Sequence, residues 1–255
     1  MQRPRIYTPA PLRTGTTLSL PESAATHVMR VLRLVAGDPI TLFDGSGTDY
    51  DGVLRLVARS NVTVDVLDGR PVERESPLRV ILLQGVSRGP RMDTVMQKAT
   101  ELGVTTLQPV QAERSVVRLD ADRSATRLDH WQRIVISACE QCGRSVVPQV
   151  LAPRPLDAAL AALEPGTIGL TLDPRGEASL DALLGAATRV ALAVGPEGGF
   201  TAEEIGTLTR AGFRGFRLGP RILRTETAPL AALAILQYAR GDLGTSPLPP
   251  SLPPP

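Results

Sequence analysis

Aromatic residues are scarce here: one Trp, three Tyr and four Phe make 3% of 255 residues. Stacking platforms of the kind that grip single-stranded nucleic acid are therefore few. Lysine is scarcer still, with Lys98 the only one among 28 basic residues. Two Cys and two His match a zinc site in number but not in spacing. Cys139 and Cys142 have C-x-x-C spacing, but they fall within a helical stretch with no second pair, and His27 and His130 lie far from each other in sequence. No metal is expected, and no Ser-His-Asp set points to a hydrolase. No run approaches the roughly 20 apolar residues of a membrane helix. The opening MQRPRIYTPAPL shows no apolar core of a signal peptide, so a reducing cytoplasm is the expected location. The G-x-G-x-x-G and G-K-[ST] fingerprints of nucleotide loops are missing as well.

What is present is an ordinary globular balance, 42% hydrophobic and 21% charged, with a net charge of +2. Charge is unevenly spread. Residues 77–154 carry 11 basic against 7 acidic side chains, whereas residues 1–76 carry 9 of each. Such a basic middle suits phosphates without forming a polycationic tail.

Residues 1–75 read as β. TLSL, PITLFDG, DGVLRLV and NVTVDVLDG are short apolar or alternating runs, several ending in Asp-Gly or a similar turn signal, and they predict a small barrel. One helix interrupts them, from Glu22 to Leu34, with Ala25, Val28, Met29 and Leu32 on one face. After the charged break VERESP, residues 76–244 alternate strands and helices. LRVILLQ, VTTLQPV, GTIGLTL, RVALAVG and FRGFRLG are the strands. Helices are expected at RMDTVMQKATELG, at 124–143, near 156–163, 179–185 and 201–211, and in a last segment ending at about Arg240. This alternation predicts an α/β domain with a mostly parallel sheet. The Pro-rich tail, 245–255, is expected to be disordered.

Two corners carry the chemistry. RVALAVGPEGGFTAEEI is a buried strand, a Gly-rich loop and a helix opened by a Thr201/Glu204 capping box. Strand carboxyl ends that meet helix amino ends are where α/β proteins bind ligands. The acid in the loop disfavours a phosphate cradle and suits a neutral or cationic ligand. The second corner, LGPRILRTETAPL, crowds Arg221, Arg224, Thr225, Glu226 and Thr227 ahead of an apolar helix. One threonine as helix cap accounts for only part of that crowding.

Four ordered blocks, SRGPRMDTVMQKATELGV, ACEQCGRSVVP, GPEGGFTAEE and LGPRILRTETA, together with PRIYTP, HVMRVLRL and LFDG, resemble the RsmE family of bacterial methyltransferases. The resemblance runs over residues 3–244. It implies a PUA-like, RNA-binding β-barrel at 1–75 followed by a SPOUT methyltransferase domain with a deep trefoil knot, and a homodimer. It further implies S-adenosylmethionine as cofactor and methylation of N3 of one specific uridine in 16S rRNA within the 30S subunit. By motif, the cofactor would be held by Leu172, Gly195, Pro196, Glu197, Leu218, Gly219, Ile222, Leu223, Thr225 and Ala228.

Uridine N3 must lose its proton before it attacks a sulfonium methyl, and the resulting anion needs a cation beside it. Arg224 is expected to stabilise that anion, with Arg221 second to it. Glu226 or Glu197 is expected either to accept the proton or to orient an arginine or the cofactor's amine. Arg5, Arg30, Arg33, Lys98, Arg114 and Arg144 are candidate phosphate partners. Two other readings are a SPOUT ribose 2′-O-methyltransferase acting on tRNA and a non-catalytic ribosome-assembly protein.

Overall fold

In the computed structural model the described residues are 3–58, 61–116, 121–173 and 180–244. The chain divides into two compact units. The first runs to Glu75 and takes in Cys139–Val147; the second holds Ser76–Ala138 and continues from Pro148. The tail expected to be disordered lies outside the described residues.

The first unit is built on five strands: β1 (Arg5–Tyr7), β2 (Thr17–Ser19), β3 (Pro39–Phe43), β4 (Thr48–Ala58) and β5 (Asn61–Pro71). Their order is β1-β3-β4-β5-β2, with β1 parallel to β3 and the other ladders antiparallel. Alternation along β5 buries Val62, Val64 and Val66, which meet Ile6, Ile40, Leu42 and Leu54 in one core. The helix expected at 22–34 is only five α-helical residues long, α1 (Glu22–Thr26), and continues as a π-helical turn, His27–Leu32. Arg33 ends it in the left-handed region at φ 55. Ala25 and Val28 still face the core, because the wider turn keeps the apolar stripe while changing its pitch.

A polar cluster holds residues 139–147 within this unit. Asp49, 1% exposed, accepts from Arg5 at 2.8 Å and Arg74 at 3.2 Å, and also from the Ser145 hydroxyl. Arg5 donates further to Ser145 Oγ at 2.9 Å and Arg144 O at 3.3 Å. Arg144 pairs with Glu75, and the Tyr7 N–H donates to Glu140 Oε1 at 3.0 Å. Burial works against ionisation of Asp49. The hydrogen bonds from Arg5 and Ser145 and the charges of Arg5 and Arg74 outweigh it, so its pKa falls below the ordinary 3.8.

The second unit contains β6 (Arg79–Gly85), β7 (Thr106–Gln111), β8 (Gln149–Val150), β9 (Arg154–Pro155), β10 (Ile168–Leu172), β11 (Arg189–Val194) and β12 (Arg214–Phe216). They form one sheet in the order β12-β10-β11-β6-β7-β8, with β9 also pairing β7. Every ladder is parallel. The helices are α2 (Gly89–Glu101), α3 (Ala121–Cys142), α4 (Leu156–Ala161), α5 (Leu180–Leu184), α6 (Ala202–Arg210) and α7 (Thr227–Arg240). α4 and α6 bury against the sheet face bearing Leu83, Ala191 and Ala193. α7 packs on β6 and β11 with α2 beside it, which buries Met92, Val95 and Met96 of α2 and Ala232, Leu233 and Leu236 of α7.

Periodicity located the long elements but not β1, β8 and β9, which are two or three residues each. FRGFRLG is a strand only to Phe216, and residues 217–226 cross the sheet's end without regular structure.

The Asp49 cluster yields a stability prediction. Asp49→Ala leaves two arginines buried without their carboxylate and is expected to cost about 3–5 kcal/mol, read as a lower urea midpoint by circular dichroism. Because the folded pKa of Asp49 is depressed, its contribution is full above the unfolded carboxyl's pKa and is lost as pH falls toward the folded value. A variant as stable as the parent at pH 7 would contradict the assignment.

Candidate active site

The carboxyl ends of β10, β11 and β12 open onto a cavity of about 640 Å³. Three segments wall it: Leu172 and Asp173 at the end of β10, Val194 to Gly199 at the end of β11 and beyond, and residues from Phe216, the last of β12, to Ala228 in the first turn of α7. Arg91, in the first turn of α2, reaches it as well. Its size and its largely apolar wall with a few polar groups are those of a small-molecule site.

Glycine makes the corner possible. A Cβ on Gly85 would lie well inside contact distance of Pro196 N, and one on Gly195 would meet Phe200 N at 2.8 Å. Gly199 turns at φ +67, where a side chain would be strained. The helix beyond starts with a complete capping box. Glu204 N–H donates to Thr201 Oγ1 at 3.3 Å and Thr201 N–H to Glu204 Oε2 at 2.8 Å.

Neither threonine of the second corner caps α7. The cap position is Glu226, with no side-chain cap bond. Thr225 Oγ1 instead donates to Gly195 O at 2.8 Å and accepts from Gln84 Nε2 at 3.3 Å. It also lies 3.4 Å from Ser87 Oγ. One hydroxyl thus ties residues 217–226 to the ends of β6 and β11. Gln84 is fully buried and its Oε1 has no partner among the described residues.

The acids and bases divide unequally. Glu197 Oε1 accepts from the Arg88 N–H at 3.1 Å and from Arg91 Nη1 at 2.8 Å. Burial pushes the Glu197 pKa up, but these hydrogen bonds, its own N–H and the Arg91 charge bring it below the usual carboxylate value. Glu226 Oε2 lies 3.7 Å from Arg91 Nε, an ion-pair distance, and accepts no hydrogen bond among the described residues. Arg221 and Arg224 are exposed on the cavity wall. Their guanidinium groups make no ion pair among the described residues.

Every residue expected to hold the cofactor lines this one cavity, as do Arg224, Glu226 and Glu197. Ile222 does so at the mouth, 91% exposed. The phosphate candidates are scattered. Arg30 and Arg33 are exposed on the π-helical turn and just after it. Lys98 pairs with Glu101 at 2.8 Å, and Arg114 donates to Gly198 O at 3.1 Å, bracing the Gly-rich loop. Arg5 and Arg144 are corrections. Their guanidinium groups are buried in the Asp49 and Glu75 pairs, so a phosphate would have to displace a carboxylate and enter a desolvated site.

The sequence reading missed Arg91, Gln84 and Ser87. Arg91 sat in a quoted motif, but helical periodicity gives no sign that an arginine of the first turn points into a cavity. Gly85-Val86-Ser87-Arg88-Gly89 also has the G-x-S-x-G spacing of a hydrolase elbow, on a strand-to-helix turn. Ser87 there is buried and donates to Gly85 O at 3.2 Å, with no histidine partner among the described residues.

Comparison with known proteins gives a concordant picture. Residues 74–237 match the model of an RNA methyltransferase domain, and residues 20–67 that of an RNA methyltransferase PUA domain. The chain is 31% identical to ribosomal RNA small subunit methyltransferase E of Bacillus subtilis (strain 168) over 249 residues, covering 91% of this chain and 95% of that protein. A ribosomal RNA small subunit methyltransferase E from Neisseria gonorrhoeae, solved bound to S-adenosyl methionine, is 42% identical. Its TM-score is 0.90, with 94% of this chain and 99% of that one covered. A Legionella pneumophila protein solved with SAM bound is 40% identical with a TM-score of 0.92, covering 95% of this chain and all of that one.

The Thr225 hydroxyl sets a local prediction. Thr225→Val removes its hydrogen bonds and is expected to cost about 1–3 kcal/mol, concentrated in residues 217–226. Native-state trypsin cleavage after Arg221 and Arg224 should speed up about tenfold or more, and Thr225→Ser should restore the parent rate. Unchanged cleavage in Thr225→Val would refute the anchor.

Proposed function

We propose, from the premise that the chain belongs to the ribosomal RNA small subunit methyltransferase E family, that it methylates small-subunit ribosomal RNA using S-adenosylmethionine. The observation that carries this reading is the cavity at the ends of β10, β11 and β12, where the Gly-Pro-Glu-Gly-Gly loop and residues 218–228 meet. The wall fits that cofactor. Leu172, Leu218 and Leu223 supply apolar surface for a purine, loop backbone supplies its hydrogen bonds, and two carboxylates with unpartnered buried oxygens suit a cation.

The finer reading is transfer to N3 of one uridine in 16S rRNA within the 30S subunit. When bound, the cofactor supplies a methyl group made electrophilic by its sulfonium centre. The protein's own groups do the rest. Glu226 accepts the N3 proton directly or through water at Oε1, since its buried Oε2 faces Arg91. Glu197, held ionised by three N–H donors, orients its neighbours and is the poorer base, since a depressed pKa weakens proton affinity. Arg224, without an ion pair among the described residues, faces the anion that spreads over O2 and O4.

The PUA-like unit is assigned to RNA, through Arg30 and Arg33 on its exposed turn, with Lys98 and Arg114 contributing from the catalytic unit. A homodimer and a cytoplasmic location belong to the same reading. So does the trefoil knot, which is supported by β11 lying between β6 and β10, both earlier in the chain. No helix among the described residues is long and apolar enough to cross a membrane.

Labelled S-adenosylmethionine with unmodified 30S subunits tests the reading, the label being mapped by nuclease digestion and mass spectrometry. N3-methyluridine in the small-subunit RNA is expected; a ribose methyl would move the reaction to the sugar. Arg224→Ala should lower turnover by about 10²-fold while cofactor affinity stays within about threefold of the parent. Equal loss of both would remove Arg224 from its assigned role.

A further inference from the structure

Arg91 stands between two carboxylates that arrive on different loops. Its Nη1 donates to Glu197 Oε1 at 2.8 Å, and its Nε lies 3.7 Å from Glu226 Oε2. α2, the 195–200 loop and the 217–226 crossing therefore converge on one guanidinium. Two acceptors are left over. Glu197 Oε2 and Glu226 Oε2 are buried yet accept no hydrogen bond among the described residues. Buried acceptors are costly to leave unmade, so this pair calls for a donor that the described residues do not provide.

Resting on the methyl-transfer reading above, we infer that Arg91 is a positioning residue: it holds Glu197 and Glu226 as a pair of acceptors for a cationic donor in the cavity, and it cancels one of their two charges. A guanidinium suits the task because its nitrogens are fixed in a fork that spans two acceptors, which a lysine ammonium is not. The three side chains together carry one net negative charge. That charge attracts a cation without the repulsion two bare carboxylates would suffer, a repulsion that drives one of them to take up a proton.

The remaining charged groups around the pair do not substitute for Arg91. Asp173 adds a further negative charge to the wall, and Arg217, Arg221 and Arg224 line it without an ion pair to either glutamate among the described residues. Arg88 contributes only its backbone N–H to Glu197, and Arg114 is engaged with Gly198 O. S-adenosylmethionine, with a sulfonium and an ammonium, has the chemistry the pair demands.

The test is calorimetric titration of the full chain with S-adenosylmethionine between pH 5.5 and 7.5. The parent's affinity should change by less than about threefold. Arg91→Ala should bind at least about tenfold more weakly at pH 5.5 than at pH 7.5. Loss of the arginine raises a carboxyl pKa, so that group is protonated at the acid end and recovers its charge as pH rises. Arg91→Lys, which keeps the charge, should return a flat profile. Should Arg91→Ala fail to fold, Arg91→Gln carries the same expectation. An equal loss at every pH, or no loss, would overturn the inference by reducing Arg91 to a packing role. A parent that binds the cofactor but leaves 30S subunits unmethylated would sink the RNA reading alone; a parent that fails to bind it would sink both.

Discussion

Residues 217–226 cross the carboxyl ends of three parallel strands with no ladder or helix of their own, so their position has to be imposed from outside. Thr225 imposes much of it. Its hydroxyl donates to Gly195 O and accepts from Gln84, joining the crossing to β11 and β6 at once. The second constraint is the approach of β6 to the Gly-Pro-Glu-Gly-Gly loop, where Gly85 leaves no room for a Cβ against Pro196. Between them, a hydroxyl and a missing side chain fix the two walls of the cavity. The apolar packing of α7 on β6 and β11 then sets the edge from which the crossing departs.

Charge is laid out on those walls by sign. Glu197, Glu226 and Asp173 face the same space as Arg217, Arg221 and Arg224, yet none of these arginines is paired with these glutamates among the described residues. Arg91 alone takes them. Arginines left unpaired are available to an anion, and carboxylate oxygens left unpartnered are available to a cation. A reaction in which an anion meets a sulfonium needs both in one water-poor site, and it loses charge on the way to the transition state. Mutual neutralisation of the two sets would have produced a more stable corner and a less useful one.

How much of this could be read from the chain depends on how each feature is encoded. Strands such as RVALAVG and helices such as RMDTVMQKATELG carry their period in a single window, and they lie where the pattern puts them. The Thr201/Glu204 box is equally local. FRGFRLG reads as a strand to its end, but β10 pairs with β12 only as far as Phe216. The cavity residues came from motif resemblance; no periodicity joins Leu172 to Ala228. Arg91 and Gln84 escaped because their roles exist only once α2 and β6 stand beside loops more than a hundred residues later in the chain.

Arg5 and Arg144 show where charge counting misleads. A basic residue in a protein that handles RNA invites a phosphate partner, yet here both are the cationic half of a buried cluster around Asp49 and Glu75. The block ACEQCGRSVVP, as recognisable as any other in the sequence, ends in that cluster and contributes nothing to the cavity wall among the described residues. Its Ser145 and Arg144 bind residues 139–147 to β1 and β4 by hydrogen bonds that span about 140 and 100 positions of sequence. A sequence motif therefore records that a contact is specific, not that it is catalytic. The carboxylate of Asp49 is already filled by donors from the protein, whereas Glu197 Oε2 and Glu226 Oε2 accept no hydrogen bond among the described residues and open on the cavity.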